Sequence, residues 1–215
     1  ADVPPGTILA ANQELVRHVK DEPASLDPDK AVGLPEIQVI RDLFEGLLIT
    51  STKDGHPIPG VAESWTISPD GKVYTFKIRE TRFSDGTPLT ASDAAFSLIR
   101  IRDDEGSLWR DSYSIIAKAE APDPRTLVVT LKSPSAPFLS QLALPNASVI
   151  SQQAMKAEGE EAFAEKPVGS GAFSVKEWVR GEKIVLVKNP NFWQAKNVSL
   201  DGVEWVSVTD DNTRM

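Results

Sequence analysis

Val73-Tyr74-Thr75-Phe76-Lys77-Ile78-Arg79 alternates apolar and polar side chains, and Thr90-Ala91-Ser92-Asp93 follows it after a short polar stretch. The first pattern has the period of a strand with one buried face, carried by Tyr74, Phe76 and Ile78. The second is a capping box, in which a hydroxyl and a carboxylate satisfy the first free N–H groups of a helix. Upstream, the turn dipeptide Asp70-Gly71 separates residues 63–67 from 73–79, so the two runs read as a hairpin. Downstream, Phe96, Leu98, Ile99 and Ile101 give the capped helix its apolar surface. A hairpin followed by a capped helix predicts a mixed α/β chain.

The same reading extends in both directions. Residues 14–19 read as a strand, ended by the polar turn Asp21, Glu22 and Pro23. Gly33-Leu34-Pro35-Glu36 opens a helix, with Pro35 suited to its first position. Ile37, Ile40, Phe44 and Leu47 continue at helical spacing, and Gly46 stands where that helix is expected to stop. Asp54-Gly55 marks another turn. A second strand pair flanks Pro122-Asp123-Pro124-Arg125, with Leu127, Val129 and Leu131 on one face. Short helices are expected after Pro137 and around residues 152–163, and strands at 172–178, 183–187 and 203–208. Thr209-Asp210-Asp211-Asn212-Thr213 is a helix-starting run with no helix after it, so the chain is expected to be a piece of something longer.

Composition narrows the functions. The 215 residues carry 23 Lys+Arg against 31 Asp+Glu, a net charge of −8, which gives no footprint for nucleic acid. Hydrophobic residues make up 40%, enough for a core, and no apolar run approaches the ~20 residues that cross a bilayer. With no cysteine and only His18 and His56, most transition-metal sites lack ligands. No cofactor is expected. Neither histidine accompanies a nucleophile-elbow pattern, which weighs against hydrolytic catalysis, although carboxylate pairs are abundant. An N-terminal Ala1 is compatible with an exported chain whose signal peptide has been removed.

Three motifs read as structural. Gly169-Ser170-Gly171 lacks the Lys-Ser/Thr ending of a phosphate loop and precedes a strand, so it is expected to be a tight backbone passage between domains. Asp103-Asp104-Glu105-Gly106 lacks the alternating ligands of a calcium loop and reads as a solvated turn. Glu158, Glu160, Glu161 and Glu165 read as an exposed helix face, and Trp65, Trp178, Trp193 and Trp205 as core.

Four segments together resemble the peptide-binding members of the extracytoplasmic solute-binding proteins, family 5, that serve ABC importers. They are Asp21-Glu22-Pro23-Ala24-Ser25-Leu26-Asp27-Pro28 with Arg41-Asp42-Leu43-Phe44-Glu45-Gly46-Leu47; Pro59-Gly60-Val61-Ala62-Glu63-Ser64-Trp65; Tyr74 to Asp93; and Pro167-Val168-Gly169-Ser170-Gly171-Ala172-Phe173 with Asn189-Pro190-Asn191-Phe192-Trp193. Residues 1 to about 48 look closest to the oligopeptide- and murein-peptide-binding branch. The resemblance implies an α/β fold of the type II periplasmic-binding-protein kind: one lobe plus the family's additional α/β domain, with the second lobe absent. It places residues 1–45 and 165–215 in lobe I and 46–164 in the additional domain.

It also implies ligand-binding positions. Val32-Gly33-Leu34 falls where that branch lays its ligand against main chain, and Gly33 would let a backbone approach without a Cβ. An acidic residue often stands where Val32 does, so that carboxylate's contact is missing here. Trp109 lies near a ligand-facing Tyr of the family, with Ser107, Leu108 and Tyr113 as neighbours if the register slips. The partners implied are peptide and, for a full-length protein, the permease subunits of an ABC importer. The open alternatives are an interaction module without its own ligand, and a binder of nickel, haem or sugar. Uncovered strand edges are expected to favour self-association of the fragment.

Overall fold

A computed structural model describes residues 6–8 and 10–208. The 209–213 run therefore lies outside the described residues.

The hairpin forms as its pattern dictates. Strand Ala62–Ile67 pairs antiparallel with Val73–Ile78, and Gly71 turns the corner at φ +70°. Val73–Ile78 also pairs with Thr126–Leu131, which pairs with Ile116–Asp123, completing an antiparallel four-stranded sheet. Tyr74, Phe76, Ile78, Leu127, Val129 and Leu131 are buried on its inner face. The helix Ala91–Asp103 packs against this sheet and shares its apolar cluster.

Helix α1 (Leu34–Leu43) starts at the extended cap Gly33, and α2 (Ala91–Asp103) starts at Thr90 with its capping box complete. In that box Asp93 Oδ2 accepts the Thr90 N–H at 2.9 Å. Pro35 stands at the second position of α1, still within the turn whose N–H groups need no helical acceptor. The helix ends at Leu43 rather than Gly46, because Phe44 turns extended. Gly46 instead makes an isolated bridge to Ser148. The helix expected over 152–163 is two helices, Gln152–Glu158 and Glu160–Glu165, divided at Gly159 with φ +82°.

A second sheet holds Glu14–Val19, Gly202–Ser207, Lys183–Lys188 and Phe173–Val179 in that order. Its first two strands are parallel and the others antiparallel. Glu14–Val19 lies at the edge, with Leu15 and Val16 exposed.

The core is divided to match. One cluster draws on residues between Leu47 and Val149, the other on residues from Val19 to Phe44 and from Ile150 to Trp205. Only Trp205 of the four tryptophans read as core is fully buried; Trp65, Trp178 and Trp193 are half-buried. Trp178, Trp193 and Trp205 donate their indole N–H to Glu22, Glu45 and Asp42 at 2.8, 2.7 and 2.9 Å. The same rings lie under Arg180, Arg79 and Arg17. Each ring is polar at its edge and cationic over its face, so partial exposure costs little.

Between the two clusters the chain passes through a narrow waist at Gly169-Ser170-Gly171. The Ser170 hydroxyl accepts the Glu45 N–H at 3.0 Å and donates to the Val149 carbonyl at 2.8 Å. Gly171 N–H donates to the Leu43 carbonyl at 2.9 Å. A Cβ on Gly169 would stand 2.1 Å from the Leu43 carbonyl oxygen. That neighbour is backbone and cannot swing aside, so Gly169→Ala is expected to cost about 2–3 kcal/mol, the upper end for overpacking. A thermal melt that leaves Tm unchanged would show that the waist relaxes.

Candidate functional site

Val32 and Gly33 precede α1, whose first residue is Leu34, and Gly33 is extended at φ −81° and ψ 154°. Among the described residues, no hydrogen bond is made by the Val32 N–H, the Val32 carbonyl or the Gly33 N–H. These groups form a short unpaired edge of backbone. Val32 and Leu34 stand beside it at 60% and 67% exposure, unusual for such side chains. Gly33 has a further role. A Cβ there would lie 2.2 Å from Glu36 Oε2, in the space its carboxylate fills while its other oxygen accepts the Ala24 N–H at 3.0 Å.

An ion cluster anchors the segment that leads into this edge. Arg100, on α2, grips Asp27 in two parallel hydrogen bonds, Nη1–Oδ1 at 2.9 Å and Nη2–Oδ2 at 2.7 Å. Its Nη1 also donates to Asp29 Oδ2 at 2.6 Å. All three residues are buried. Asp104 and Glu160 lie farther from the guanidinium, at 3.4 and 3.5 Å. Burial pushes Asp29 up to about 8 against the pull of Arg100, with Asp27 adding to the rise. The carboxylates in turn hold Arg100 above its ordinary value against its own burial.

The cluster carries Trp109 to the loop. The Leu108 N–H donates to the Asp29 carbonyl at 3.0 Å, and the Trp109 indole N–H to the Ala31 carbonyl at 3.0 Å. Residues 32–34 and Trp109, far apart in the chain, thus share one surface, with the Trp109 ring half-buried. Its neighbours differ. Tyr113 is buried, its hydroxyl donating to the Gln141 carbonyl at 3.0 Å, and Ser107 donates to the Ile101 carbonyl at 2.8 Å. Leu108 is exposed.

A cavity of about 140 Å³ opens where Trp109, Ala31 and α1 meet residues 144–146. Next to it, sharing Arg41, Leu144 and Pro145, is a hollow of about 270 Å³ lined also by Glu45, Thr50 and Ser148. A larger, open hollow of about 620 Å³ beside Ser92 and Gln152 is lined by none of the expected ligand residues. Burial pushes Glu45 up to about 7, although the Trp193 indole and the Arg79 charge pull the other way. Among the described residues no group of acidic, histidine or cysteine side chains has the geometry to hold a metal ion.

Sequence reasoning missed Arg100, Arg41 and Asn146. Asp27 stands inside a quoted motif, but nothing local marks an arginine on a mostly apolar helix face as its partner.

Comparison with known proteins adds relatives. The family model for "Bacterial extracellular solute-binding proteins, family 5 Middle" matches residues 56–215. The periplasmic murein peptide-binding protein MppA of Escherichia coli K12 is 40% identical, over 99% of this chain and 43% of its own length. The periplasmic oligopeptide-binding protein OppA of the same strain is 38% identical, over 99% of this chain and 42% of its own. Among solved structures, the binding protein AgaA of A. tumefaciens R10, in complex with agropinic acid, superposes with a TM-score of 0.88 at 34% identity. That match covers 94% of this chain and 41% of AgaA. The chain thus spans about two fifths of the length of these relatives.

Two outcomes follow from the charges. Arg100→Met leaves two carboxylates buried without their cation and is expected to cost about 3–5 kcal/mol, lowering Tm by roughly 10 °C. A shift below about 2 °C would show that the cluster is dispensable. Glu45, raised above its unfolded value of 4.5, contributes stability that is present below that pH and lost as pH rises through about 7. Glu45→Gln is therefore expected to match the parent near pH 5 and to gain up to about 3 kcal/mol on it by pH 8 in urea titrations. The raised Asp29 leaves a slope of the same sign in both proteins. Identical pH profiles would exclude a buried, protonated Glu45.

Proposed function

The chain belongs to the bacterial extracellular solute-binding proteins of family 5, and from that premise we propose that it supplies one wall of a peptide-binding cleft. The unpaired backbone of residues 32–33 beside the Trp109 ring carries this reading. A binder that accepts varied peptides takes its affinity from what all peptides share, their main-chain N–H and C=O groups. An extended ligand laid along Val32-Gly33-Leu34 would complete those groups as an added strand does, and the Trp109 ring would pack a neighbouring side chain or peptide plane.

In this reading residues 1–45 and 165–215 form most of one lobe and 46–164 an additional domain packed on it. The two hydrophobic clusters and the glycine waist between them support that division. The protein would work outside the cytoplasm, delivering oligopeptides or murein peptides to an ABC permease, as the names of MppA and OppA suggest. It would bind without catalysis. The AgaA complex favours a second reading, in which the solute is another small organic acid. The exposed Leu15 and Val16 on the edge strand support self-association of this chain.

Closure around a ligand needs contacts from two walls, and this chain spans only 43% of MppA. Isothermal calorimetry with tripeptides and longer peptides is therefore expected to give affinities weaker than roughly 1 μM for residues 1–215. A polypeptide extended to the relatives' length should bind at least about tenfold tighter, since one lost charge-assisted contact alone is worth about 1.5–3 kcal/mol. Submicromolar binding by this chain alone would overturn the one-wall reading. Stabilisation by nickel or sugars, with none by peptides, would overturn the peptide reading.

A further inference from the structure

The walls of the cavity beside Trp109 are chiefly apolar: Pro28, Ala31, Ile37, Ile40, Leu144 and the Trp109 ring. Among the described residues that line it, Arg41 alone carries a charge, and Arg41 is exposed, so its guanidinium keeps its water. Asn146 spends its amide elsewhere. One end meets the Tyr113 hydroxyl at 3.3 Å, and the other is sealed within the protein. The Tyr113 proton is itself given to the Gln141 carbonyl. An incoming group therefore meets apolar surface and little else. The rim has the same character. Val32, Leu34, Leu108 and Leu144 are exposed in a chain of net charge −8, and each either lines the cavity or stands within three residues of one that does. Apolar side chains gathered round a concave opening mark binding sites, whereas scattered ones do not.

Position names the occupant. Ala31 lines the cavity and is followed directly by Val32, whose main chain is unpaired among the described residues. The Ala31 carbonyl also holds the Trp109 indole N–H, so ring and backbone edge are tied at one residue. Leu34, Ile37 and Arg41 share one face of α1 at i, i+3 and i+7. At a rise of 1.5 Å per residue, the cavity begins about 5 Å along that face from Leu34. An extended peptide rises about 3.3 Å per residue, so a ligand laid against residues 32–33 brings a side chain over the cavity one or two positions along. At about 140 Å³ the space is close to that of a dry cavity that admits a benzene ring, so it takes one such side chain.

We propose that this cavity is a subsite for one apolar side chain of the bound peptide, the size of Leu, Met or Phe, packed among the Trp109 ring, Ile37 and Leu144. The inference rests on the peptide reading above and adds a substrate class to it: peptides carrying such a side chain close to the main chain held by residues 32–33. The driving force is the removal of apolar surface from water, which needs no charged partner.

The test is an NMR titration of the 215-residue chain with Ala-Leu-Ala, Ala-Gln-Ala and Ala-Ala-Ala at millimolar concentrations. The Trp109 indole signal and the methyl signals of Ile37 and Leu144 are the readouts. Ala-Leu-Ala is expected to bind about tenfold tighter than either other peptide and to move all three signals. Gln is no smaller than Leu, so a preference for bulk alone would favour both. Leu144→Ser should bring the Leu-to-Ala affinity ratio to within about threefold, while the volume-conserving Leu144→Met should keep it. Leu144 is exposed, so neither variant threatens the fold. Equal affinities for Ala-Leu-Ala and Ala-Gln-Ala, a preference undiminished in Leu144→Ser, or methyl signals that stay still while the indole moves would overturn the subsite. Each would leave the peptide reading standing and the cavity to a side chain from the facing wall of the cleft. No saturable shift with any of the three peptides would overturn both.

Discussion

The Arg100 guanidinium ties α2 to the segment that leads into the candidate site. One side chain on α2 neutralises Asp27 in a planar fork and reaches Asp29 with its remaining capacity, and all three are sealed from water. Such a cluster need add little net stability compared with a hydrocarbon core, because desolvation opposes the attraction. Its consequence is positional. Asp29 offers its carbonyl to Leu108, Ala31 offers its own to Trp109, and the loop that follows is left extended with its polar groups free. An arginine fork constrains direction as well as distance, which an apolar contact does not.

The second constraint is the waist. Two hydrophobic clusters meet where Glu45, Val149 and Ser170 exchange backbone and hydroxyl hydrogen bonds, with glycines on either side allowing main chains to touch. Glu45 sits at this crossing with a raised affinity for its proton, held between Trp193 and the field of Arg79. The arrangement joins α1, the start of the central segment and the Asn189–Trp193 stretch in one small volume. The geometry of the cleft wall and the seating of the C-terminal strands therefore depend on each other.

Much of the fold was legible because its causes are local. The strand at Glu14–Val19, the hairpin around Gly71 and the Thr90–Asp93 cap all follow from alternation, turn chemistry and side-chain reach over a few residues. The errors arose where a local signal competed with packing. Phe44 and Leu47 keep helical spacing past Leu43, but the chain there turns extended to bridge Ser148 and to meet Gly171. Two tryptophans read as core, Trp178 and Trp193, are half-buried, and an indole N–H bonded to a carboxylate with the ring under an arginine does not need full burial. Of the site, residues 32–34 and Trp109 were named through resemblance; Arg41 stood in a motif with no role assigned to it, and Asn146 and Arg100 carried no mark in the sequence.

By itself, then, the sequence determined the secondary elements, their caps and turns, the apolar faces, and family membership through motifs in order. Only the tertiary structure decided which charges pair and which polar groups are left wanting a partner. Asp27 and Arg100 stand 73 positions apart, and Asn146 meets Tyr113 across 33. No periodicity spans such distances; they close only when sheets and helices pack, so the chemistry of the cleft wall is a property of the fold.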